Sequence, residues 1–516
     1  MALNARIKCN RCTFRLVTNG TRSVAPVRGP QQTDFAVKTT IADRDTAPAA
    51  DATRAGPVLW TLVSLSLSML LPSLGTSSAN VALPNFADAF GASFQAVQWI
   101  VLAYLLAITT LIVSAGRLGD MAGRRRLLLA GIVLFTVASG VCGMAPSLWL
   151  LIAARAVQGL GAAIMMALTM AFVGETVPKE RTGSAMGLLG TMSAIGTAFG
   201  PSLGGILIAA FGWPAIFLVN VPLGILTFIL AFRALPKDRS ERNAGGFDGL
   251  GTLLLALTLA AYALAMTIGR GHFAALNAGL LLASVIGIGV FVFVEARVAS
   301  PLVRPAMFRE PMLARSLAMN VLVSTVIMTT FVVGPFYLAR GLGLDPAGVG
   351  LVMSIGPLIS VLTGFPAGRL VDHLGAPVVV VGGLAALAAG SFALSVLPAL
   401  FGLAGYVAGI AILTPGYQLF QAANNTTVMM DVRADQRGVV SGVLNLSRNL
   451  GLITGASVMG AVFAVSTAAA DIATASPGAL ISGLRTTFVI AGVLIVVALV
   501  VALVVAIARR VGDRHR

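Results

Sequence analysis

Charge is what this sequence has least of. Only 10% of its 516 residues are Asp, Glu, Lys or Arg, and 57% are hydrophobic. A water-soluble domain carries about 25% charged residues to cover its surface. The shortage excludes a soluble enzyme and a disordered scaffold. Acidic residues are scarcer still, 19 against 35 basic ones, leaving a net charge of +16. Three cysteines in the whole chain exclude a disulfide framework. The three histidines, His272, His373 and His515, lie far apart and form no catalytic or metal-ligating group. Neither a cofactor nor a metal is expected. Aromatic residues make up only 7% and glycines number 57, which suits close helix–helix contact rather than a lipid-exposed barrel.

What the chain has in abundance is long uncharged stretches. Residues 57–84, 89–116 and 127–154 carry no charged side chain, and each exceeds the roughly 20 residues a membrane-spanning helix needs. Residues 182–232 and 374–430 are uncharged over lengths that fit two spans each, broken at Gly212-Trp213-Pro214 and near Pro398. The pattern predicts an all-α polytopic membrane protein with fourteen spans. These are α1 to α14, over 58–80, 95–116, 127–145, 148–172, 184–209, 214–233, 248–268, 274–295, 315–339, 347–369, 376–396, 401–428, 438–467 and 486–508. The lipid bilayer is thus the first partner.

The basic residues set the orientation. Thirty of them fall before α1, in alternate connections, or after α14. Three, Arg270, Arg340 and Arg485, fall on the other side, and Arg155 and Arg448 lie within spans. The positive-inside rule puts both termini in the cytoplasm, with the chain in the cell membrane. The basic excess is therefore a topology signal, and no nucleic-acid partner is needed to explain it. Residues 1–56 are polar, lack the apolar core of a signal peptide and read as a disordered cytoplasmic tail. Residues 509–516 form a second tail. The tail's Cys9-Asn10-Arg11-Cys12 is a lone C-x-x-C, two ligands short of a zinc site, because Cys142 lies in α3.

An internal duplication organises the spans. Gly116-Arg117-Leu118-Gly119-Asp120-Met121-Ala122-Gly123 recurs as Gly368-Arg369-Leu370-Val371-Asp372-His373-Leu374-Gly375, an offset of 252. Gly187, Gly196, Gly200 and Gly205 recur as Gly442, Gly451, Gly455 and Gly460, an offset of 255. Six helices over 57–233 leave room for two more within that offset. The plan is a six-helix bundle (57–233), an inserted two-helix linker (234–312) and a second six-helix bundle (313–508). Parallel six-span repeats around a midplane site are the design of a secondary transporter.

The α2–α3 connection reads as a tight glycine-rich turn in which Gly116, Asp120 and Gly123 sit beside Arg124-Arg125-Arg126. A carboxylate among arginines can pair in one conformation and part in another, which makes a gate. Gly368 and Asp372 repeat it. The arginines are also topology anchors.

On these residues the chain resembles the major facilitator superfamily, and more closely its fourteen-helix drug:proton antiporters. Further matches follow in order: Trp99, Tyr104 and Leu105; Arg155-Ala156-Val157-Gln158-Gly159-Leu160-Gly161; Pro178-Lys179-Glu180-Arg181; Gly196, Gly200-Pro201 and Gly204-Gly205. After these come Trp213, Phe217, Asn220, Pro222 and Gly224, then Asp248, Glu295 and Pro301-Leu302, and last Arg448-Asn449-Leu450-Gly451. The resemblance implies two six-helix bundles, a two-helix insertion, a small-molecule substrate, alternating access and protons as coupling ion. It implies export for Gly196, Gly200, Pro201 and Gly204, the antiporter glycine motif. Close helix packing explains these glycines nearly as well.

One departure stands out. The family's α1 carries an aspartate where this chain has Gly75, although Asn80-Val81-Ala82-Leu83-Pro84 is intact. No acidic residue falls in the middle of any span, and an intramembrane carboxylate is the usual proton carrier. Coupling would need a peripheral acid such as Asp120, titration of the substrate itself, or no proton at all. The fixed charges at depth are Arg155 and Arg448, which favours anionic or neutral amphipathic cargo. Ser77, Asn80, Tyr104, Gln158, Tyr417, Gln421 and Asn424 are the remaining candidates for a polar cavity lining, with interhelical hydrogen bonding as the plainer role for each. A facilitator importing a small metabolite or vitamin is the alternative to an exporter. No base, acid pair or nucleotide-binding loop supports an enzyme. Nothing in the sequence sets an oligomeric state.

Overall fold

The computed structural model describes residues 52–176, 182–236, 248–268, 274–298, 309–430, 437–467 and 475–514, with the single positions 301 and 472. The amino-terminal tail with Cys9 and Cys12, the Pro178-Lys179-Glu180-Arg181 connection and Arg270 lie outside the described residues. The described chain is helical throughout, with no strand among the described residues. Thirteen of its helical stretches are long and apolar enough to cross a membrane. One of them, Ala376–Met430, has 55 residues, which is about 80 Å of helix against a bilayer core of about 30 Å. It is interrupted at Gly402, where φ is 54° and ψ is −125°. Ala376–Met430 is therefore two antiparallel spans, α11 and α12, and the described spans number fourteen.

The break falls at Gly402, four residues beyond Pro398. Pro398 leaves the helix intact, while the left-handed backbone at Gly402 is one that side chains disfavour. Other ends also move. The final span α14 runs Pro477–Arg514, nine residues earlier than expected. Ser476 accepts from the Ala479 amide at 3.3 Å and Pro477 opens the first turn, a strong start signal. Arg485 consequently lies inside the helix. The α2 span, Phe94–Ala122, is helical through Gly116 and Asp120, so the expected tight turn there is not present. The chain turns at Gly123 alone, with φ of 95°, before α3 (Arg124–Gly143) begins. Its repeat behaves alike: α10, Pro346–Leu374, continues through Gly368 and Asp372 and stops at Gly375, φ 80°. A short extra helix, Leu83–Phe90, separates α1 (Ala52–Val81) from α2 and ends on left-handed Gly91.

The duplication in sequence is a duplication in packing. Along α5, Thr182–Phe211, a Cβ added to Gly196 would lie 2.6 Å from the Leu70 carbonyl oxygen and 3.0 Å from Ser73 Cβ on α1. Along α13, which begins at Arg437, a Cβ on Gly451 would lie 2.6 Å from Ser324 Cβ and one on Gly455 2.6 Å from Met328 Cβ, both on α9 (Pro311–Phe336). Helices α1 and α5 therefore meet backbone to backbone, and α9 and α13 do the same. Each pair then reaches the opposite copy. A Cβ on Gly205 of α5 would sit 2.9 Å from Gly350 Cα of α10, and one on Gly460 of α13 would sit 3.0 Å from Gln98 Cδ of α2.

These cross-contacts lie at one end of the molecule, marked by Asp88. There Asp88 and Arg340 form an ion pair, 252 residues apart in sequence. Phe94 packs edge-on against Phe336 and Phe463, with ring centroids 4.7 and 5.7 Å away. Gln98 Nε2 donates to the Ala456 carbonyl at 2.9 Å. The core divides accordingly. One buried cluster runs from Val81, Phe94 and Phe217 across to Val333, Phe336 and Phe463. A separate one, with Leu128, Phe135 and Leu168, stays within α1–α6 toward the opposite end.

Steric fit at the glycines gives a direct prediction. Gly196→Val and Gly451→Val should each destabilise by about 1–3 kcal/mol, the usual cost of overpacking, read as a lowered melting temperature in detergent. Gly190→Ala and Gly364→Ala, where an added Cβ meets nothing within 4 Å, should melt like the parent.

Candidate functional site

Five of the expected polar residues gather in the interior of α1–α6. Arg155, on α4 (Leu148–Thr176), is 0% exposed. Its Nε donates to the Ile100 carbonyl of α2 at 3.0 Å. Its Nη1 donates to the Gly75 carbonyl of α1 at 3.3 Å and to Gln158 Oε1 at 2.6 Å. Gln158 passes the network on through Nε2 to Ser139 Oγ of α3 at 2.7 Å. The guanidinium lies 4.0 Å over the Tyr104 ring, and Tyr104 itself donates to the Pro72 carbonyl at 2.9 Å. One cation thereby fastens four helices using carbonyl dipoles, an amide and a π face. Gly75 contributes its carbonyl oxygen to the set. An added Cβ there would touch Phe135 at 3.4 Å.

Ser77 and Asn80 are also buried. Ser77 Oγ donates to the Ser73 carbonyl at 2.9 Å and lies 3.1 Å from the Gly196 carbonyl. It belongs to the close α1–α5 contact together with Gly200 and Gly204, which lie against Ser77 and Ser78. Pro201 presents its carbonyl to Gly350 of α10, so the glycine motif joins α5 to both α1 and α10. Across the molecule, Gln421 Nε2 donates to Tyr417 Oη at 3.0 Å, one turn apart on α12. Asn424 is 1% exposed with neither side-chain atom hydrogen-bonded. Arg448 differs from Arg155 in exposure and pairing. It is exposed on α13, and no described side chain pairs with it.

Of the gate residues, Gly116 and Gly368 have open space where a Cβ would go, so the backbone constraint rests on Gly123 and Gly375. Arg124 is half-buried at the start of α3; the side chain of Asp120 lies outside the described residues. The neighbouring Arg125 donates to the Phe232 carbonyl at 2.6 Å and stacks on its ring, tying α3 to the end of α6 (Ala215–Ala234). Asp372 is exposed and lines a cavity of about 420 Å³ with Met312, Val371, Thr426, Thr427 and Met430, at the end remote from Asp88.

Sequence reasoning missed Asp88, Phe94, Gln98 and Arg340 as a contact set. The signal existed in part, because Asp88 and Arg340 occupy equivalent connections of the two repeats. Residues related by the repeat that touch each other must lie near its symmetry axis.

Loss of the Arg155 hub should be costly. Arg155→Met removes three hydrogen bonds from a charged donor, worth about 1.5–3 kcal/mol each, and leaves the Gln158 amide oxygen without that donor. Arg155→Lys should not restore it, because an ammonium lacks the planar fork and stacking face. Both variants should show lowered melting temperature and yield of monodisperse protein, with Gln158→Ala affected less.

Comparison with known proteins agrees with this architecture. A family model described as Major Facilitator Superfamily matches residues 65–456. The multidrug resistance protein Stp of Mycobacterium tuberculosis is 31% identical over 410 residues, covering 79% of this chain and 76% of that one. The riboflavin transporter RibZ of Clostridioides difficile is 30% identical over 408 residues, covering 78% and 88%. Among solved structures, a bacterial homologue of the human lysosomal transporter Spinster, inward-facing and unoccupied, shares the fold. Its TM-score is 0.64 at 15% identity, over 86% of this chain and 96% of that one. With fourteen spans, a six-helix plan used twice and the family model running through both copies, this chain is a multi-pass membrane transporter belonging to the major facilitator superfamily.

Proposed function

We propose that the chain exports small amphipathic organic compounds by alternating access, with residues 57–233 and 313–508 as the two rocking bundles and 234–312 as the inserted linker. The observation that carries the reading is the one-ended seal. Asp88–Arg340, the Phe94 aromatic group, Gly205–Gly350 and Gln98–Gly460 join the two copies at one end. The positive-inside rule supports placing that end outside and both termini in the cytoplasm, in the cell membrane. A cleft closed outside and loaded from the cytoplasm or inner leaflet suits an exporter awaiting cargo. Similarity to a protein named for multidrug resistance supports the same direction. The work is transport, with no catalytic step.

Gate residues Gly116, Asp120, Gly123, Arg124, Gly368 and Asp372 would then act at the cytoplasmic end, where the bundles meet in the opposite state. Proton coupling would run through Asp120 or through the cargo's own titration, because Arg155 is held by carbonyls where a carboxylate would release a proton. The second reading, import or facilitated passage of a metabolite, is favoured by the similarity to a riboflavin transporter and by the lack of an acid in mid-span.

Direction and gating can be tested together. In Asp88→Cys/Arg340→Cys protein, a short thiol cross-linker should trap the sealed form and abolish transport, with recovery after cleavage of a reducible linker. Undiminished transport by cross-linked protein would refute the seal as a moving gate. Asp120→Asn should express normally and fail to cycle. In cells, active protein should lower accumulation of a labelled dye, and raised accumulation would favour the importer.

A further inference from the structure

The two arginines at depth are not equivalent, and the difference bears on what the cleft accepts. Arg155 is fully buried and held through Nε and Nη1 by two carbonyls and an amide, with an aromatic face beside it, while its Nη2 has no hydrogen-bond partner. It is sealed from any cargo in this state. Arg448 is exposed and has no pairing partner among the described residues.

The surroundings of α13 show which way Arg448 points. One side faces α9: Asn320 Nδ2 donates to the Leu444 carbonyl at 3.1 Å and to Ser447 Oγ at 2.8 Å, and Gly451 and Gly455 abut the α9 backbone. The opposite side faces α2 through Ala456 and Gly460. Two arcs remain between them. One carries Thr454, whose hydroxyl accepts from Tyr262 of α7 (Gly249–Thr267) at 3.0 Å, together with Val443, Leu446 and Ile453, all buried. Helix α7 also holds α2, through Trp99 Nε1 to Thr267 Oγ1 at 3.0 Å. It leads outward to α8 (Ala275–Glu295), whose Leu282, Val285 and Ile286 are exposed in the manner of a lipid-facing helix. That arc is the periphery. The other arc, at 100° steps per residue, carries Asn445, Arg448 and Leu452; Asn445 and Arg448 are exposed, and by elimination this arc is the one left to the space between the two bundles.

Arg448 stands eight residues, or about 12 Å, along α13 from the Ala456 seal and about 17 Å from Arg437 at the helix start. It is therefore below the closed end, at the level of the space between the bundles. No acidic residue occurs in the middle of any span to neutralise it. A single cation facing a cleft with low-dielectric walls would focus a positive potential there.

We propose that Arg448 is the charge selector of the cleft, pairing with the anionic group (carboxylate, sulfonate or phenolate) of an amphipathic organic cargo. The inference rests on the transport reading above and deepens it by naming the substrate class. The half-exposed Tyr417–Gln421 pair on α12 is suited to the uncharged part of such a molecule.

The test uses two xanthene dyes of similar shape and opposite charge, carboxyfluorescein and rhodamine 123, with purified full-length protein. Binding is followed by fluorescence anisotropy. The parent should bind carboxyfluorescein at least ten-fold more tightly than rhodamine 123. Arg448→Gln should weaken carboxyfluorescein binding by ten-fold or more, and Arg448→Lys should keep most of it. Both variants should melt like the parent without dye, because the side chain has no partner among the described residues to lose. Equal binding of the two dyes, preference for rhodamine 123, carboxyfluorescein affinity unchanged in Arg448→Gln, or binding of neither dye would each overturn the proposal. Vesicle transport of the same dyes separates the two readings. Selective binding without transport leaves the selector standing and removes export, whereas rhodamine 123 export at carboxyfluorescein rates removes the selector and leaves export.

Discussion

Backbone-to-backbone contact along two helix pairs is the constraint on which the rest of the structure depends. Hydrocarbon solvates leucine as well as another leucine does, so helices in a membrane gain little by burying apolar side chains against one another. They associate where small residues allow many close van der Waals contacts. Gly196 and Gly200 provide this between α1 and α5, and Gly451 and Gly455 provide it between α9 and α13. Because α5 and α13 each also reach across to the other copy, at Gly350 and Gln98, the same two helices that hold the bundles together carry the contact between them. A rocking motion would pivot on these helices, and the antiporter glycine motif has a mechanical meaning independent of the family in which it occurs.

Arg155 is the polar counterpart of that packing. An arginine buried beside a carboxylate could trade its partner for a proton, but here the available partners are the Ile100 and Gly75 carbonyls and Gln158. Carbonyl dipoles do not titrate. The hub is a fixed brace for α1–α4. Two roles that the sequence presents as alternatives for one pair of arginines are thus divided between them, with structure at Arg155 and an accessible charge at Arg448.

Much of the fold was legible in the sequence, because charge-free runs, basic ends and a repeat at 252–255 residues are direct consequences of crossing a bilayer twice over with one six-helix design. The shifted boundaries have specific causes. Pro398 is tolerated in the helix while Gly402 takes the left-handed turn. The Ser476-Pro477 start was hidden because Arg485 looked like a connection. Within the site, Arg155 was identifiable as a charge at depth. Its partners were not, since every residue carries a carbonyl and nothing in a sequence says which will be approached. The Asp88–Arg340 and Gln98–Ala456 contacts were invisible for a different reason. They join parts of the chain that come together only after both bundles have formed.

The central claim is that the Asp88 end and the Asp372 end open reciprocally. Distances between spin-label pairs test it most directly, with one pair at Ala89 and Leu351 on the sealed end and another at Met121 and Met430 on the opposite end. When carboxyfluorescein and a pH gradient are applied to protein in vesicles, the account predicts a population in which the first distance lengthens as the second shortens. Two distances that lengthen together, or that both stay fixed while dye is transported, would contradict it.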